Sequence, residues 1–316
     1  MQNKSVKTIS LLFSIMMVLL FSPETKAQKN AASFTDLKGL KTLKVKPSVA
    51  DASVQQWDTA SVIYYDPKIK NNKILLWLTG TNGTSNNVPV GFFKTALHQG
   101  YKVIALSFIS NPGVSQVCIG KNLVSNPDCA TEFRRKRIYG DQSFSGIPDQ
   151  PQDAIIPRFV KLLEYLDKND SEGKWGTYLE KEIKKPIWER IAIAGQSQGG
   201  GMAEFIGQYE HLDRIISFSG GWDYSYSKEK KIADWYLRKN VTPITKWFAT
   251  YHIKELAAAS LKEICTALKI PEDQTFPLDK PLFNPAAINK QNPYHVDGIR
   301  NPAYQQIWIT MLGSGI

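Results

Sequence analysis

The sequence predicts an α/β protein in which helices cover both faces of a mostly parallel sheet. Short β-branched and aromatic segments alternate with longer helical patterns, as βαβ units require. These short segments are continuously hydrophobic, which indicates strands that are buried on both faces. Six strands are predicted on this basis, at residues 60–65, 73–78, 102–108, 190–194, 214–219 and 244–251.

A helix is predicted between the third and fourth strands, at residues 153–168. Its apolar residues share one helical stripe, and its charged residues face away from that stripe, so the stripe is expected to pack in the core. The apolar residues are Ile155, Phe159, Leu162, Leu163 and Leu166. No internal repeat with a period of 20–50 residues is found, which excludes solenoids and propellers.

Composition and charge set broad limits on the protein. The 316 residues are 42% hydrophobic and 22% charged, which excludes disordered, collagen-like and coiled-coil proteins. Lys and Arg outnumber Asp and Glu by 39 to 29, a formal charge of +10. Such a charge favours anionic partners through long-range steering, but it does not identify a function.

The first 27 residues have the three-part layout of a secretory signal. Lys4 and Lys7 precede an apolar run at residues 9–21, and small residues lead to a cleavage site after Ala27. A membrane anchor is the alternative, but a spanning helix needs about 20 apolar residues. We therefore expect export to a periplasmic or extracellular location, with no stable membrane anchor. Residues 28–55 are predicted to be an arm laid over a single domain at 56–316.

Export would allow the three cysteines to form a disulfide, because disulfides persist in oxidising compartments. Cys118 and Cys129 lie in one stretch rich in Gly, Pro, Ser and Asn, so a local disulfide is predicted between them. Cys265 lies in an apolar helical pattern and is expected to be a buried, inert thiol. The cysteine spacings match no zinc site, and no metal is expected.

A G-x-S-x-G motif joins a strand to a helix. Strand 190–194 runs into Gly195-Gln196-Ser197-Gln198-Gly199, and a helical pattern follows. In such a turn the central residue takes a strained backbone conformation that exposes its oxygen at the edge of the sheet. Ser197 is therefore the candidate nucleophile. The alternative interpretation is a glycine-rich packing turn.

A serine nucleophile needs a histidine as general base and an acid that orients it. His98 and His211 are expected at the surface, and His252 ends a strand. His295 follows Ser197 by 98 residues, and the chain order of serine, acid and histidine selects it. Two acids remain open, Glu255 after strand 244–251 and Asp223 after strand 214–219, with Glu255 favoured.

Two backbone N–H groups must bind the oxyanion that forms during acyl transfer. Gln198 follows the nucleophile and supplies one of them. Thr81 is the candidate for the other, because it lies in Thr79-Gly80-Thr81-Asn82-Gly83, a tight-turn sequence directly after strand 73–78. An ordinary polar turn is the alternative there.

These segments together resemble the α/β-hydrolase superfamily. Within it, Trp188–Gly200 and Phe218–Asp223 are similar to stretches in a group of exported bacterial serine hydrolases with unassigned substrates. The resemblance covers most of residues 60–312 and implies the α/β-hydrolase fold. An aspartate is the more usual acid after the penultimate strand in this superfamily, whereas Glu255 stands at that position.

Two further clusters stand out. The run Arg134–Arg137 is expected to be a solvated face, with a role in attracting acidic substrates as the alternative. The aromatic residues between 222 and 242 either line a pocket or pack a lid. Neither cluster has a nucleic-acid-binding motif, so no nucleic-acid partner is expected.

The sequence therefore favours a secreted serine esterase that acts through an acyl-enzyme on a small or polymeric ester without a cofactor. A hydrolase-fold binding module for an envelope or polysaccharide ligand, without activity, is the other hypothesis.

Overall fold

A computed structural model describes residues 39–70, 73–224, 231–285 and 291–315 of the chain. Within these ranges one large sheet has eight strands: β1 (Lys41–Val45), β2 (Ser61–Tyr65), β3 (Ile74–Leu78), β4 (Lys102–Ala105), β5 (Ile191–Gln196), β6 (Arg214–Phe218), β7 (Trp247–His252) and β8 (Thr275–Leu278). Their order is β1-β2-β4-β3-β5-β6-β7-β8. Strands β1 and β2 are antiparallel to each other, and β2 is antiparallel to β4; the other pairs are parallel. The mostly parallel sheet of the prediction is confirmed.

The described helices flank this sheet. They are α1 (Pro47–Ala50), α2 (Val90–His98), α3 (Val114–Val117), α4 (Gly120–Ser125), α5 (Cys129–Tyr139), α6 (Ile155–Asn169), α7 (Gln198–Tyr209), α8 (Ala258–Ala267) and α9 (Gln305–Leu312). A small two-stranded ribbon pairs Leu179–Glu180 with Lys185–Pro186. No helix in the described ranges combines the length and the apolar character that crossing a membrane requires.

The core has two layers, one on each face of the sheet. Alternate residues of β3 belong to different layers, because neighbouring side chains of a strand point to opposite faces. Leu76 packs in the layer that holds α5, α6, α7 and α8, whereas Leu75 and Trp77 pack in the layer that holds α2 and α9. Helices on both faces are therefore confirmed, and the stripe predicted on residues 153–168 is buried core of α6.

All six predicted strands are present, with ends that differ by a few residues. Two strands of the large sheet were not predicted, β1 and β8, and neither was the small ribbon. Residues 41–45, assigned to the arm, form an edge strand of the sheet with mixed burial. Strand β8 is short and contains Pro277, which an edge strand tolerates because one side of its backbone needs no partner.

The prediction of a solvated basic face at Arg134–Arg137 is wrong. Arg134, Lys136 and Arg137 are buried on α5. Polar partners compensate for this burial: Lys136 donates to the carbonyl of Phe144 at 2.7 Å, and the Arg137 guanidinium is paired with Asp149. The buried face of α5 is charged, so the helix has no apolar periodicity by which the sequence could reveal it.

The cysteine predictions are confirmed. A disulfide joins Cys118 to Cys129, with a Cα–Cα distance of 5.6 Å, and Cys265 is a buried free thiol. Burial raises the pKa of the Cys265 thiol far above its usual range, which keeps it in the unreactive protonated form.

Some predictions concern residues that the structure does not describe. The secretory signal at 1–27 lies outside the described residues, as do 28–38 of the arm and 225–230 of the candidate lid. The later part of the lid segment holds a 3-10 turn at Asp234–Leu237, whose Trp235 and Tyr236 are buried. These two aromatic side chains pack inside the protein rather than line an open pocket.

Candidate active site

Ser197 lies in the sharp turn between β5 and α7. Its backbone angles are φ 54° and ψ −121°, a region that side-chain-bearing residues rarely occupy. The turn is held by a hydrogen bond of 2.9 Å from the Ser197 N–H to the carbonyl of Phe218 at the end of β6. A strained conformation that the surrounding strands maintain is typical of functional residues.

The two glycines of the motif are required by close backbone contacts. A Cβ atom on Gly195 would lie 2.3 Å from the carbonyl carbon of Gly199, and one on Gly199 would lie 2.1 Å from the carbonyl oxygen of Leu78. Both distances are far inside van der Waals contact. The glycine spacing is therefore a geometric requirement of this turn.

Glu255 and His295 are in direct contact. Nδ1 of His295 lies 2.8 Å from Oε2 of Glu255, and the carboxylate side chain is fully buried while the imidazole is 18% exposed. The carboxylate accepts a hydrogen bond from the N–H at Nδ1, so Nε2 is the nitrogen left to act as a base. The structure thus brings together the two residues that the sequence assigned to these roles.

The second oxygen of Glu255 is held by two other groups. Oε1 accepts a hydrogen bond of 2.5 Å from the Ser219 hydroxyl and one of 2.8 Å from the His252 N–H. Ser219 directly follows β6 and has a positive φ of 45°. These bonds fix the carboxylate in a single orientation. Ser219 was not predicted to be a site residue. Its only signal in the sequence is its position at the end of a strand and before two glycines.

The segment that carries His295 lies next to the turn that carries Ser197. Gln196 precedes the serine, and its Nε2 donates to the His295 carbonyl at 3.1 Å. Trp222 contacts the imidazole edge-to-face, with ring centroids 5.3 Å apart. No hydrogen bond joins Ser197 to the His295 ring within the described part of the chain. Such bonds are often long in ligand-free enzymes and tighten when substrate binds.

The other three histidines are placed elsewhere. His98 and His211 are exposed, as predicted. His252 is buried and stacks on Tyr294 with a centroid distance of 4.1 Å. Both ring nitrogens of His252 have backbone partners, the Lys280 carbonyl and the Lys254 N–H.

Asp223, the alternative acid, is paired with Arg134 instead of a histidine. Nε and Nη2 of Arg134 donate to its two oxygens at 2.5 and 2.8 Å, and Trp235 Nε1 adds a third bond at 2.9 Å. All of these groups are buried. Of the two candidate acids, only Glu255 contacts an imidazole.

The candidate oxyanion groups line the same small cleft as the serine. Thr81, Ser197 and Gln198 are three of its wall residues, and the cleft volume is about 30 Å³. Gln198 is the first residue of α7, so its N–H has no acceptor within the helix. Its side chain accepts a hydrogen bond from the N–H of Val114, the first residue of α3, and donates one to the carbonyl of Ser110 in the segment before that helix.

Arg134, Asp223 and Trp222 form another part of the cleft wall. The aromatic residues between 222 and 242 therefore have two environments. Trp222 lines the cleft, whereas Trp235 and Tyr236 are buried beneath it. The described ranges hold no group of three or more His, Cys, Asp or Glu side chains that is suited to a metal ion.

Strand order and site position together identify the architecture. The strained turn at Ser197 follows β5, Glu255 follows β7, and His295 follows β8 in a sheet of order β1-β2-β4-β3-β5-β6-β7-β8. The chain has the α/β-hydrolase fold. This assignment depends on the topology of the chain itself.

Several solved hydrolase structures are similar to this chain at low sequence identity. An S-formylglutathione hydrolase from Staphylococcus aureus shares 10% identity over 87% of this chain and 97% of that chain, with a TM-score of 0.46. A dienelactone hydrolase from Anabaena variabilis shares 11% identity over 86% and 98%, with a TM-score of 0.43. An α/β hydrolase from a Medee basin deep-sea metagenome library shares 12% identity over 87% and 98%, with a TM-score of 0.42. No protein-family model matches the sequence, and no curated protein is detectably similar to it.

Proposed function

We propose that this α/β-hydrolase is an exported serine hydrolase that cleaves a carboxylic ester. The observation that carries the proposal is the buried Glu255–His295 pair beside a strained serine turn. A carboxylate that holds an imidazole in one tautomer, next to a serine whose backbone is forced into a rare conformation, is the arrangement that acyl transfer requires. The signal-like residues 1–27 and the disulfide support an oxidising location.

In this mechanism Ser197 Oγ attacks the ester carbonyl carbon, and His295 Nε2 takes the proton of the Ser197 hydroxyl. The carbonyl oxygen becomes an oxyanion, which the N–H groups of Thr81 and Gln198 bind. Glu255 stabilises the imidazolium that forms. The imidazolium then protonates the leaving alcohol, and an acyl group remains bonded to Ser197. A water molecule, deprotonated by His295, then attacks the acyl carbon; the bond to Ser197 Oγ breaks, the acid leaves, and His295 returns the proton to Ser197 Oγ.

Covalent labelling with a fluorophosphonate probe tests the proposal. The wild-type protein is expected to be labelled, and the label is expected to be lost in Ser197→Ala. Ser115→Ala is the matched control, because Ser115 lines the same cleft and its removal should leave labelling intact. An unlabelled wild-type protein that folds normally would contradict the enzyme and favour a hydrolase-fold binding module.

A further inference from the structure

A second cavity adjoins the turn that carries Ser197. It has a volume of about 210 Å³, and we call it the Arg300 cavity; its wall includes Thr81, Asn82, Asn87, Gln196, Val296 and Arg300. Thr81 also lines the cleft at Ser197. Gly80 is another wall residue, and a Cβ on it would lie 3.2 Å from the Ser197 Cβ. One wall of the cavity therefore lies directly beside the candidate nucleophile.

The Arg300 cavity and the cleft border the serine turn from different faces of the sheet. Trp77 and Ile299, which line the cavity, belong to the core layer of α2 and α9. Val114, which lines the cleft, belongs to the other layer. An ester held at Ser197 therefore has space for one of its halves on each side.

The position of His295 indicates which half of the ester the Arg300 cavity receives. The imidazole protonates the leaving alcohol, so the alcohol must lie beside that residue. Val296, which directly follows His295, lines the cavity, and the wall residue Gln196 donates a hydrogen bond of 3.1 Å to the His295 carbonyl. The described residues that line the cleft include neither His295 nor its neighbours in the chain. The Arg300 cavity therefore suits the alcohol half.

The cavity carries one positive charge that the protein does not balance. Arg300 is the only charged residue among the described residues of the wall. It is exposed, and its guanidinium forms no hydrogen bond or ion pair with any described residue. The acid nearest to it in the chain, Asp297, is buried and accepts hydrogen bonds from the Phe283 N–H and the Asn301 side chain instead.

Uncharged donors accompany this charge. The side chains of Asn82 and Asn87 are exposed at the cavity and also have no hydrogen-bond partner among the described residues. Each amide supplies an NH₂ donor, and the guanidinium supplies a planar fork of donors that matches a carboxylate. One positive charge with neighbouring donors is the complement of a single carboxylate.

We propose that Arg300 is a specificity-determining residue for a carboxylate on the alcohol half of the substrate. The substrate class is then an ester of a hydroxy acid in which the hydroxyl group is acylated and the carboxylate is free. This inference rests on the proposed function and adds the substrate class. The carboxylate would bind Arg300 while the ester carbonyl binds the Thr81 and Gln198 amides.

A set of aryl acetates with the same acyl group tests this inference. The 3- and 4-carboxyphenyl acetates carry the anion at two positions, the matching carbamoylphenyl acetates replace it with a neutral amide of the same size, and 4-(trimethylammonio)phenyl acetate carries a cation. Each kcat/KM is divided by the rate constant for hydroxide-catalysed hydrolysis of the same ester, which removes differences in intrinsic reactivity. The wild type should prefer at least one carboxyphenyl ester over its carbamoyl counterpart by at least about fivefold, as a hydrogen bond between charged groups provides. It should not prefer the cationic ester.

Three variants show whether Arg300 is responsible. Arg300→Gln should abolish the preference for the carboxyphenyl ester. Arg300→Lys keeps the charge and should retain a larger preference than Arg300→Gln. Arg190→Gln is the matched control, because Arg190 is an exposed arginine directly before β5, at the end of that strand opposite to Ser197, and its removal lowers the net charge equally. Its preference should equal that of the wild type.

Two further measurements examine the electrostatic origin and the side of the site. Raising the ionic strength from about 0.02 M to about 0.5 M should weaken the wild-type preference, because salt screens an exposed charge. Monophenyl adipate carries its carboxylate on the acyl half, and phenyl hexanoate is its neutral counterpart. Arg300→Gln should leave the ratio of these two esters unchanged.

The outcomes separate this inference from the function on which it rests. If the wild type is labelled by a fluorophosphonate and hydrolyses the carbamoyl esters without preferring either carboxyphenyl ester, the substrate class is wrong and the serine hydrolase stands. Equal losses in Arg300→Gln and Arg190→Gln would reduce the effect to net charge, and equal losses in Arg300→Gln and Arg300→Lys would exclude recognition of charge. A change confined to the adipate ratio would contradict the alcohol half. A folded wild-type protein that is neither labelled nor active overturns both proposals.

Discussion

Glu255 Oε2 lies 2.8 Å from His295 Nδ1, and the glutamate side chain is completely buried. Its other oxygen, Oε1, accepts hydrogen bonds from the Ser219 hydroxyl and the His252 N–H. These bonds fix the direction in which Oε2 binds the imidazole. Asp223, the other acid considered for this role, has both oxygens bound by Arg134. Their hydrogen-bond partners therefore distinguish the two acids, because Glu255 binds an imidazole and Asp223 binds a guanidinium.

Glu255→Gln is expected to lower kcat about 10³- to 10⁴-fold, because an amide cannot hold the imidazole in the required tautomer or stabilise its charged form. Steady-state hydrolysis of phenyl propionate measures this loss. Asp223→Asn, which removes the other acid, is expected to lose far less turnover. A larger loss in Asp223→Asn than in Glu255→Gln would reverse the assignment.

Ser219→Ala is expected to lower kcat about tenfold with little change in KM, because the carboxylate loses one of the groups that fix its orientation. Ser217→Ala is the matched control on β6, the strand that Ser219 follows, since the Ser217 hydroxyl donates to Glu204 at 2.6 Å and not to Glu255. Equal losses of kcat in the two variants would show that Ser219 acts only through packing.

Gly199→Ala is expected to destabilise the protein by more than about 3 kcal/mol, because the added methyl carbon would lie 2.1 Å from the Leu78 carbonyl oxygen. Gly120→Ala is the control. Gly120 has a positive φ of 52°, but a Cβ there meets no atom within 4 Å, so only the backbone strain of about 1 kcal/mol is expected. Urea unfolding of both variants checks the difference, and similar losses would contradict the close packing at the turn.

The buried Glu204 makes stability depend on pH. Its folded-state pKa is raised from 4.5 to about 8, so the folded protein keeps a proton that the unfolded chain releases. The contribution to stability is fully present below about pH 4.5 and is lost as the pH rises to about 8. Over this range the free energy of unfolding should fall by a few kcal/mol in the wild type.

Glu204→Gln should remove most of that slope, as measured by urea unfolding at several pH values between about 5 and 8. Glu263→Gln, at an exposed position of α8, should leave the slope unchanged. A wild-type slope that persists in Glu204→Gln would mean that another group carries the pH dependence.

The sequence predicted those elements whose residue pattern is explained by neighbours close in the chain. The buried strands are continuous apolar runs, and the glycines flanking Ser197 are dictated by backbone contacts below 3 Å. The stripe on α6 follows from helical periodicity. In each case the residues near one another in sequence contain the information.

The features that were missed depend on partners distant in sequence. Helix α5 buries Arg134 and Arg137, which is tolerable only because Asp223 and Asp149 compensate for their charges. Strand β1 exists because β2 offers it an edge. Glu255 and Asp223 are likewise distinguished by a distant partner, because Arg134 binds both carboxylate oxygens of Asp223. Pairings of this kind have no local signature.

The disulfide lies next to two parts of the cleft wall at once. Cys129 begins the helix that carries Arg134, and Cys118 directly follows the short helix that begins at Val114, whose N–H is bound by Gln198. Reducing this one bond would loosen the part of the cleft wall formed by α3 and α5, whereas the Glu255–His295 pair is held by other segments. The shape of the cleft wall would then depend on the redox state of the protein, whereas the orientation of the His295 imidazole would not.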